Sequence, residues 1–218
     1  MFDNVFPGHP VFDEQGTGII FQGYYLPIDR LGLIFWLNRP TKLYYITPYE
    51  DPNPAIEEPA KDQAEEKSVF KIDFKVMTPD YYFAGFPRFS SDWKYLAFFA
   101  SKEEFHTHVT YLSLHKVDNF GTSDESKDEE IIQRQFDLND EFNGFGNFGD
   151  DYHYSKWIQN THLFLVPTSC KGKQIVWAVD FDTNQYKVLK CPNEETNDFI
   201  DLFCVDNKVA FFVSSSNK

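Results

Sequence analysis

Several side chains in this sequence are of types that do chemistry, and their spacing decides how far each can go. His106-Thr107-His108 puts two imidazoles on one face of an extended strand, a geometry that binds a metal if a third ligand converges, with Glu103, Glu104 or His115 as candidates. A pair of exposed histidines at a strand start accounts for the same residues with fewer conditions, so no metal is assigned. A serine nucleophile on a strand-to-helix turn needs the pattern Gly-x-Ser-x-Gly, because flanking glycines let the backbone turn sharply. Ser90, Ser91, Ser155 and Ser169 have no glycine two residues to either side, and no catalytic residue is assigned. Trp93 and Trp157 fall in polar turns and are candidate partner-facing anchors, since tryptophan is enriched at interface centres; capping a sheet edge is the alternative. The aromatic run from Phe21 to Tyr45 could stack a ligand, but period-two aromatics are what packed sheets bury.

The elements that would hold these side chains are short strands that repeat. Pro10 and Phe12 precede the turn Asp13-Glu14-Gln15-Gly16, and the apolar run Ile19–Gly23 follows it. Pro87 and Phe89 precede Ser90-Ser91-Asp92-Trp93, and Tyr95–Phe99 follows without a gap. A looser third copy starts at Tyr154 and Ser155, crosses Gln159-Asn160-Thr161 and enters Leu163–Val166. Repeats of a few short strands joined by polar turns are the mark of β-propeller blades, each of which needs neighbours to bury its faces. The fold expected is therefore all-β, a partial β-propeller of antiparallel blades over residues 1–218.

One stretch carries a specific family pattern. Gly18 to Tyr25, then Pro27, Arg30-Leu31-Gly32, Phe35, Asn38-Arg39 and Leu43-Tyr44-Tyr45 resemble the N-terminal propeller of the acylaminoacyl-peptidases, also called acylamino-acid-releasing enzymes, of the prolyl-oligopeptidase clan. The resemblance continues through Phe86–Ser90, Phe142-Asn143-Gly144, Cys204-Val205-Asp206 and Phe212-Val213-Ser214. It implies a cytoplasmic parent that releases N-acylated residues from short peptides, with the propeller screening substrate size. It transfers no catalytic residue, because the family's triad lies in an α/β-hydrolase domain for which these residues show no pattern. The chain is read as a non-catalytic portion of such a peptidase; the alternative is a stand-alone propeller-type interaction or scaffold subunit.

Composition agrees with this outline. Aromatics make up 18% of the 218 residues, which favours sheet packing over helices. Thirty-four acidic against twenty basic residues give a net charge of −14, a surface that repels phosphate backbones and anionic lipid heads. Nucleic acid is therefore not an expected partner, and no apolar run reaches membrane-spanning length. Cys170, Cys191 and Cys204 are an odd number without Cys-x-x-Cys spacing, which fits reduced thiols in the cytoplasm and no cofactor. No leader pattern is expected at Met1–Asn4.

Along the chain, residues 1–9 read as a lead-in, and strands are expected at Ile19–Tyr24, Leu33–Leu37, Leu43–Thr47 and Phe70–Val76. After the second repeat they are expected at Val109–His115, Ile131–Phe136, Leu163–Val166, Gln174–Phe181, Tyr186–Lys190, Phe199–Val205 and Lys208–Val213. Two acidic insertions, 50–67 and 118–151, read as loops. An incomplete ring leaves open strand edges, to be completed by a protein partner, by remaining propeller or hydrolase domain, or by oligomerisation.

Overall fold

The computed structural model describes residues 5–25, 40–49, 71–102, 111–118, 128–132, 145–146, 155–170, 173–189, 200–205 and 208–213. These residues contain strands and no helix. The strands β1 (Val5–Phe12), β2 (Ile19–Tyr25), β3 (Thr41–Tyr49) and β4 (Lys71–Val76) form an antiparallel meander, each bonded to the next. A second meander comprises β5 (Phe83–Phe89), β6 (Tyr95–Ser101), β7 (Tyr111–Asp118) and β8 (Asp128–Ile132), with the short β9 (Phe145–Gly146) also on β7. The third comprises β10 (Lys156–Trp157), β11 (Leu163–Cys170), β12 (Lys173–Asp180) and β13 (Gln185–Leu189). β14 (Ile200–Val205) and β15 (Lys208–Val213) form a hairpin beside the third sheet. A parallel bridge between Thr41 and Phe83 joins the first and second meanders.

The three four-stranded meanders are stacked face to face, which makes them blades, and side-chain alternation along β6 shows how. Tyr95, Ala97 and Phe99 enter an apolar cluster with Phe164, Val166, Trp177, Val179 and Phe181 of the third blade. Leu96, Phe98 and Ala100, pointing the other way, enter a cluster with Ile20 and Leu43 of the first. Every residue of β6 is buried, so its sequence reads as an almost unbroken apolar run instead of the alternation of a half-exposed strand. Alanines between the aromatics let the two seams close at sheet-packing distance. Blade 3 repeats the arrangement on its far side, where Leu165, Val176 and Ala178 form a third cluster. The result is an all-β partial propeller with an open ring.

The sequence repeat is a structural repeat down to its irregularities. Phe12 pairs with Ile19 and Val11 with Ile20, as Phe89 pairs with Leu96 and Arg88 with Ala97. Both β1 and β5 carry a bulge, between Gly8 and Val11 and between Gly85 and Arg88. Within each bulge one residue is left-handed, His9 at φ 49° and Phe86 at φ 58°, and their rings lie 5.2 Å apart. Each such residue costs about 1–2 kcal/mol, which the surrounding packing must over-determine. Gln22, fully buried, supplies part of that constraint: its Oε1 accepts the Phe86 N–H at 3.1 Å, tying blade 1 to the blade 2 bulge. The amide lies against Gly85, where a Cβ would come within 2.6 Å of it, so the close approach requires glycine. The turns match as well. Gly16 N–H bonds Asp13 C=O and Asp13 N–H bonds Gly18 C=O; Trp93 to Ser90 and Ser90 to Tyr95 do the same, and so do Thr161 to Ile158 and Ile158 to Leu163.

Some expectations shift. Residues 5–9 are not a lead-in but the first half of β1, where Pro7 and Pro10 are tolerated because the strand is an edge. The strand expected from Ile131 begins instead at Asp128, within the second insertion, because Glu130 pairs with His115 and Glu129 with Lys116 across β7. Leu33–Leu37 lies outside the described residues, and β2 pairs directly with β3.

Candidate functional site

The richest polar constellation among the described residues lies at the seam between blades 2 and 3, where three turns meet. Asp92 comes from the β5–β6 turn, His162 from the β10–β11 turn and Asp182 from the β12–β13 turn. His162 Nε2 lies 2.8 Å from Asp92 Oδ2 and its Nδ1 lies 2.7 Å from Asp182 Oδ2. Asp182 Oδ1 also accepts from Lys94 Nζ at 2.9 Å and from the Tyr95 hydroxyl at 2.8 Å. Tyr95 in turn stands edge-on to the imidazole, with 4.9 Å between ring centroids.

The electrostatics follow from these contacts. The Asp92 bond raises the His162 pKa above its ordinary value; burial opposes this, and the Asp182 bond adds to the rise. Burial acts upward on Asp92, but bonds from His162, the Ser90 hydroxyl and the Lys94 N–H outweigh it and hold the carboxyl at about 2. Asp182 is lowered, first by Lys94 and then by His162 and Tyr95. The group is an imidazole held between two carboxylates from adjacent blades, which favour its protonated form.

That arrangement opposes catalysis by a triad. The Ser90 hydroxyl donates to Asp92 Oδ1 at 2.7 Å, so serine, aspartate and histidine are linked in an order that puts the carboxylate between the other two. A triad needs histidine in the middle, with one ring nitrogen free to take the serine proton. Here both nitrogens face carboxylates, and no proton route runs from Ser90 to the ring.

A second polar group supports the same region, and a third lies on the opposite face of β7. Lys116, buried in β7, donates to the Phe181 carbonyl at 3.1 Å and sits 3.2 Å from Glu129, so its charge is paired as burial demands. Asn184 Nδ2 donates to the other oxygen of Glu129 at 2.7 Å. His115 Nδ1 lies 2.9 Å from Asp128 Oδ1, with its ring stacked on Phe98.

Of the residues singled out from sequence, His106 and His108 lie outside the described residues, as do Glu103 and Glu104. His115 is committed to Asp128 inside the blade 1–2 seam, and no group of three metal-ligating side chains occurs among the described residues. Trp157 belongs to β10 rather than to a turn and faces inward: its rings lie 4.8 Å from Phe164 and 4.6 Å from Phe181, and Nε1 donates to the Arg88 carbonyl at 3.2 Å. It is an anchor between blades of this chain. Trp93 is left-handed at φ 61° with its ring 4.8 Å from Phe89, at the position where the first repeat has Gly16. Asp92 was read only as part of a turn, and His162 and Asp182 were not singled out as site residues, because nothing local signals that the three turns converge.

The family model for the N-terminal domain of acylamino-acid-releasing enzyme matches residues 8–218. Acylamino-acid-releasing enzyme 1 of Oryza sativa subsp. japonica is 34% identical over 98 residues, a stretch amounting to 44% of this chain and 12% of that enzyme. Among solved structures, TolB from Acinetobacter baumannii aligns at TM-score 0.48 and 12% identity over 99% of this chain and 42% of its own. An oligogalacturonate lyase in complex with manganese aligns at 0.47 and 11% identity, over 87% and 43%. A prolyl endopeptidase aligns at 0.42 and 17% identity, over 92% and 23%. With the family match running from residue 8 to residue 218, the chain belongs to the family of acylamino-acid-releasing enzyme N-terminal domains.

Proposed function

We propose that this chain is a non-catalytic propeller portion of a cytoplasmic serine peptidase of the acylamino-acid-releasing kind, shaping access to a hydrolase domain and supporting its assembly. One observation carries the reading: the best-formed polar site among the described residues is a closed salt-bridge clamp, with His162 held at both nitrogens and Ser90 turned to Asp92. Such a clamp fixes two blades against each other and leaves no nucleophile. Blades that hold their mutual angle can rim an opening, and an opening narrower than a folded protein excludes it on steric grounds while admitting short peptides.

The test uses an N-acetyl-alanyl chromogenic substrate and a series of N-acetylated peptides of increasing length. The chain alone should give no turnover. Added to a hydrolase domain of the family, it should lower cleavage of long peptides relative to short ones. Turnover by the chain alone that a serine-directed inhibitor abolishes would overturn the proposal. An unchanged length profile, with the chain shown not to bind the hydrolase domain, would favour a stand-alone interaction module instead.

A further inference from the structure

Arg88 is a cation without an anion. It lies on β5 opposite Ala97, on the side of the sheet that faces blade 3, and is only partly accessible. Among the described residues its side chain makes one hydrogen bond, from Nη1 to the Pro87 carbonyl at 2.8 Å, and no ion pair. Burial, with no carboxylate to offset it, lowers its pKa below the ordinary arginine value. Lys94 and Lys116 differ: each has a carboxylate oxygen close by, at 2.9 and 3.2 Å. A guanidinium held partly out of water without a counter-ion costs stability, and a chain with thirty-four acidic residues could readily have supplied one.

The repeat shows that the fold does not require a cation here. Val11 pairs with Ile20 as Arg88 pairs with Ala97, and Val11 packs against an apolar cluster. Lys156 takes the same position on β10, opposite Leu165, exposed and without an ion pair among the described residues. These positions lie on the first strand of each blade, and the first strands converge. β1 packs on β5, with His9 beside Phe86, and Trp157 of β10 bonds the Arg88 carbonyl. The last strands β8 and β13 carry mainly exposed residues. Arg88 thus stands at the edge of the stack along which the central channel of a propeller runs.

A guanidinium fork matches a carboxylate, which it can hold through two parallel hydrogen bonds. Acylation removes the terminal ammonium of a peptide, so the C-terminal carboxylate is the one charge that all N-acylated peptides share. Each residue spans at most about 3.3–3.6 Å, so a peptide fixed at its carboxylate reaches a set distance and no further. We propose that Arg88 binds the C-terminal carboxylate of short N-acylated peptides. This rests on the reading of the chain as a propeller portion that shapes access to a hydrolase domain, and it names what that portion recognises.

Isothermal titration calorimetry of the purified chain with N-acetyl-trialanine and with its C-terminal amide tests the proposal. The acid should bind at least about tenfold more tightly, as expected for one charge-assisted pair. Arg88→Gln and Arg88→Met should erase that difference, and Arg88→Lys, which keeps the charge but not the fork, should retain part of it. Lys187→Gln, on the exposed strand β13, should leave it unchanged. Circular dichroism checks that each variant is folded, and Val11 at the equivalent position is the reason to expect that Arg88→Met folds. Equal binding of acid and amide, no binding of either, or an acid preference that survives Arg88→Met overturns the proposal. So does an Arg88→Met chain that loses its grip on a hydrolase domain of the family while acid and amide bind alike, because the carboxylate is then that domain's. A chain that narrows the peptide length profile yet treats acid and amide alike overturns this inference and leaves the proposed function standing.

Discussion

Phe98 and Phe99 are chain neighbours whose rings go into different seams, so truncating each in turn probes the two seams from one strand. Phe98 is 1% exposed, stacked on His115 at 5.2 Å and met edge-on by Tyr81 at 6.3 Å. Phe99 is fully buried, with Phe86 edge-on at 6.5 Å. An aromatic side chain buries about 150–250 Å², and at roughly 25 cal/mol/Å² its transfer is worth about 4–6 kcal/mol. Alanine keeps the Cβ and the walls relax only in part, so Phe98→Ala and Phe99→Ala should each cost about 3–5 kcal/mol. A domain stable by about 5–15 kcal/mol survives one such loss poorly and two hardly at all. The assay is urea denaturation followed by tryptophan fluorescence and far-ultraviolet circular dichroism together, with the slope checked for constancy. Phe12→Ala, measured in dilute solution, is the control: its ring is mostly exposed and should cost under about 1 kcal/mol. If either Phe98→Ala or Phe99→Ala behaves like the control, that side of β6 is not covered by a neighbouring blade and the stacked-blade reasoning fails.

The salt-bridge clamp makes stability depend on pH in a defined direction. His162 has a folded pKa above its unfolded one, so its contribution is complete below about pH 6.5 and is lost as pH rises through the folded value; Asp92 contributes above about pH 4 and is lost as pH falls toward about 2. The melting-temperature difference between the wild type and His162→Gln should accordingly shrink from pH 6 to pH 9, and a difference that grows over that range would contradict the clamp. Gly16 sits at φ 69° with open space around it, so Gly16→Ala should cost about 1 kcal/mol through backbone strain alone, readable as a shifted urea midpoint at unchanged slope. Trp157→Phe keeps an aromatic ring between Phe164 and Phe181 but leaves the Arg88 carbonyl without its indole donor, and should cost about 1–2 kcal/mol in the same assay.

Local chemistry was legible in the sequence, and long-range convergence was not. The Asp13–Gly16 and Ser90–Trp93 turns could be aligned by eye because turn residues act over four positions, and the structure gives them the same hydrogen bonds. The run Tyr95–Ala100 was read only as the apolar stretch after the second turn, and its burial on both faces is a finding of the structure. β1 was half hidden because Pro7 and Gly8 made residues 1–9 read as a lead-in, whereas a bulged edge strand accommodates both. The start of β8 was hidden because Asp128, Glu129 and Glu130 read as solvated charge; their cross-strand neighbours His115 and Lys116 supply the reason they join a sheet. For the clamp, the residues were visible but their meeting was not: His162 and Asp92 are brought together by the stacking of whole blades, and no turn encodes that.

Because β6 sends Tyr95, Ala97 and Phe99 toward blade 3 and Leu96, Phe98 and Ala100 toward blade 1, each of its side chains answers to one neighbouring blade while its backbone answers to both. A substitution there disturbs one seam, whereas a shift of the strand itself has to be accommodated on both sides at once.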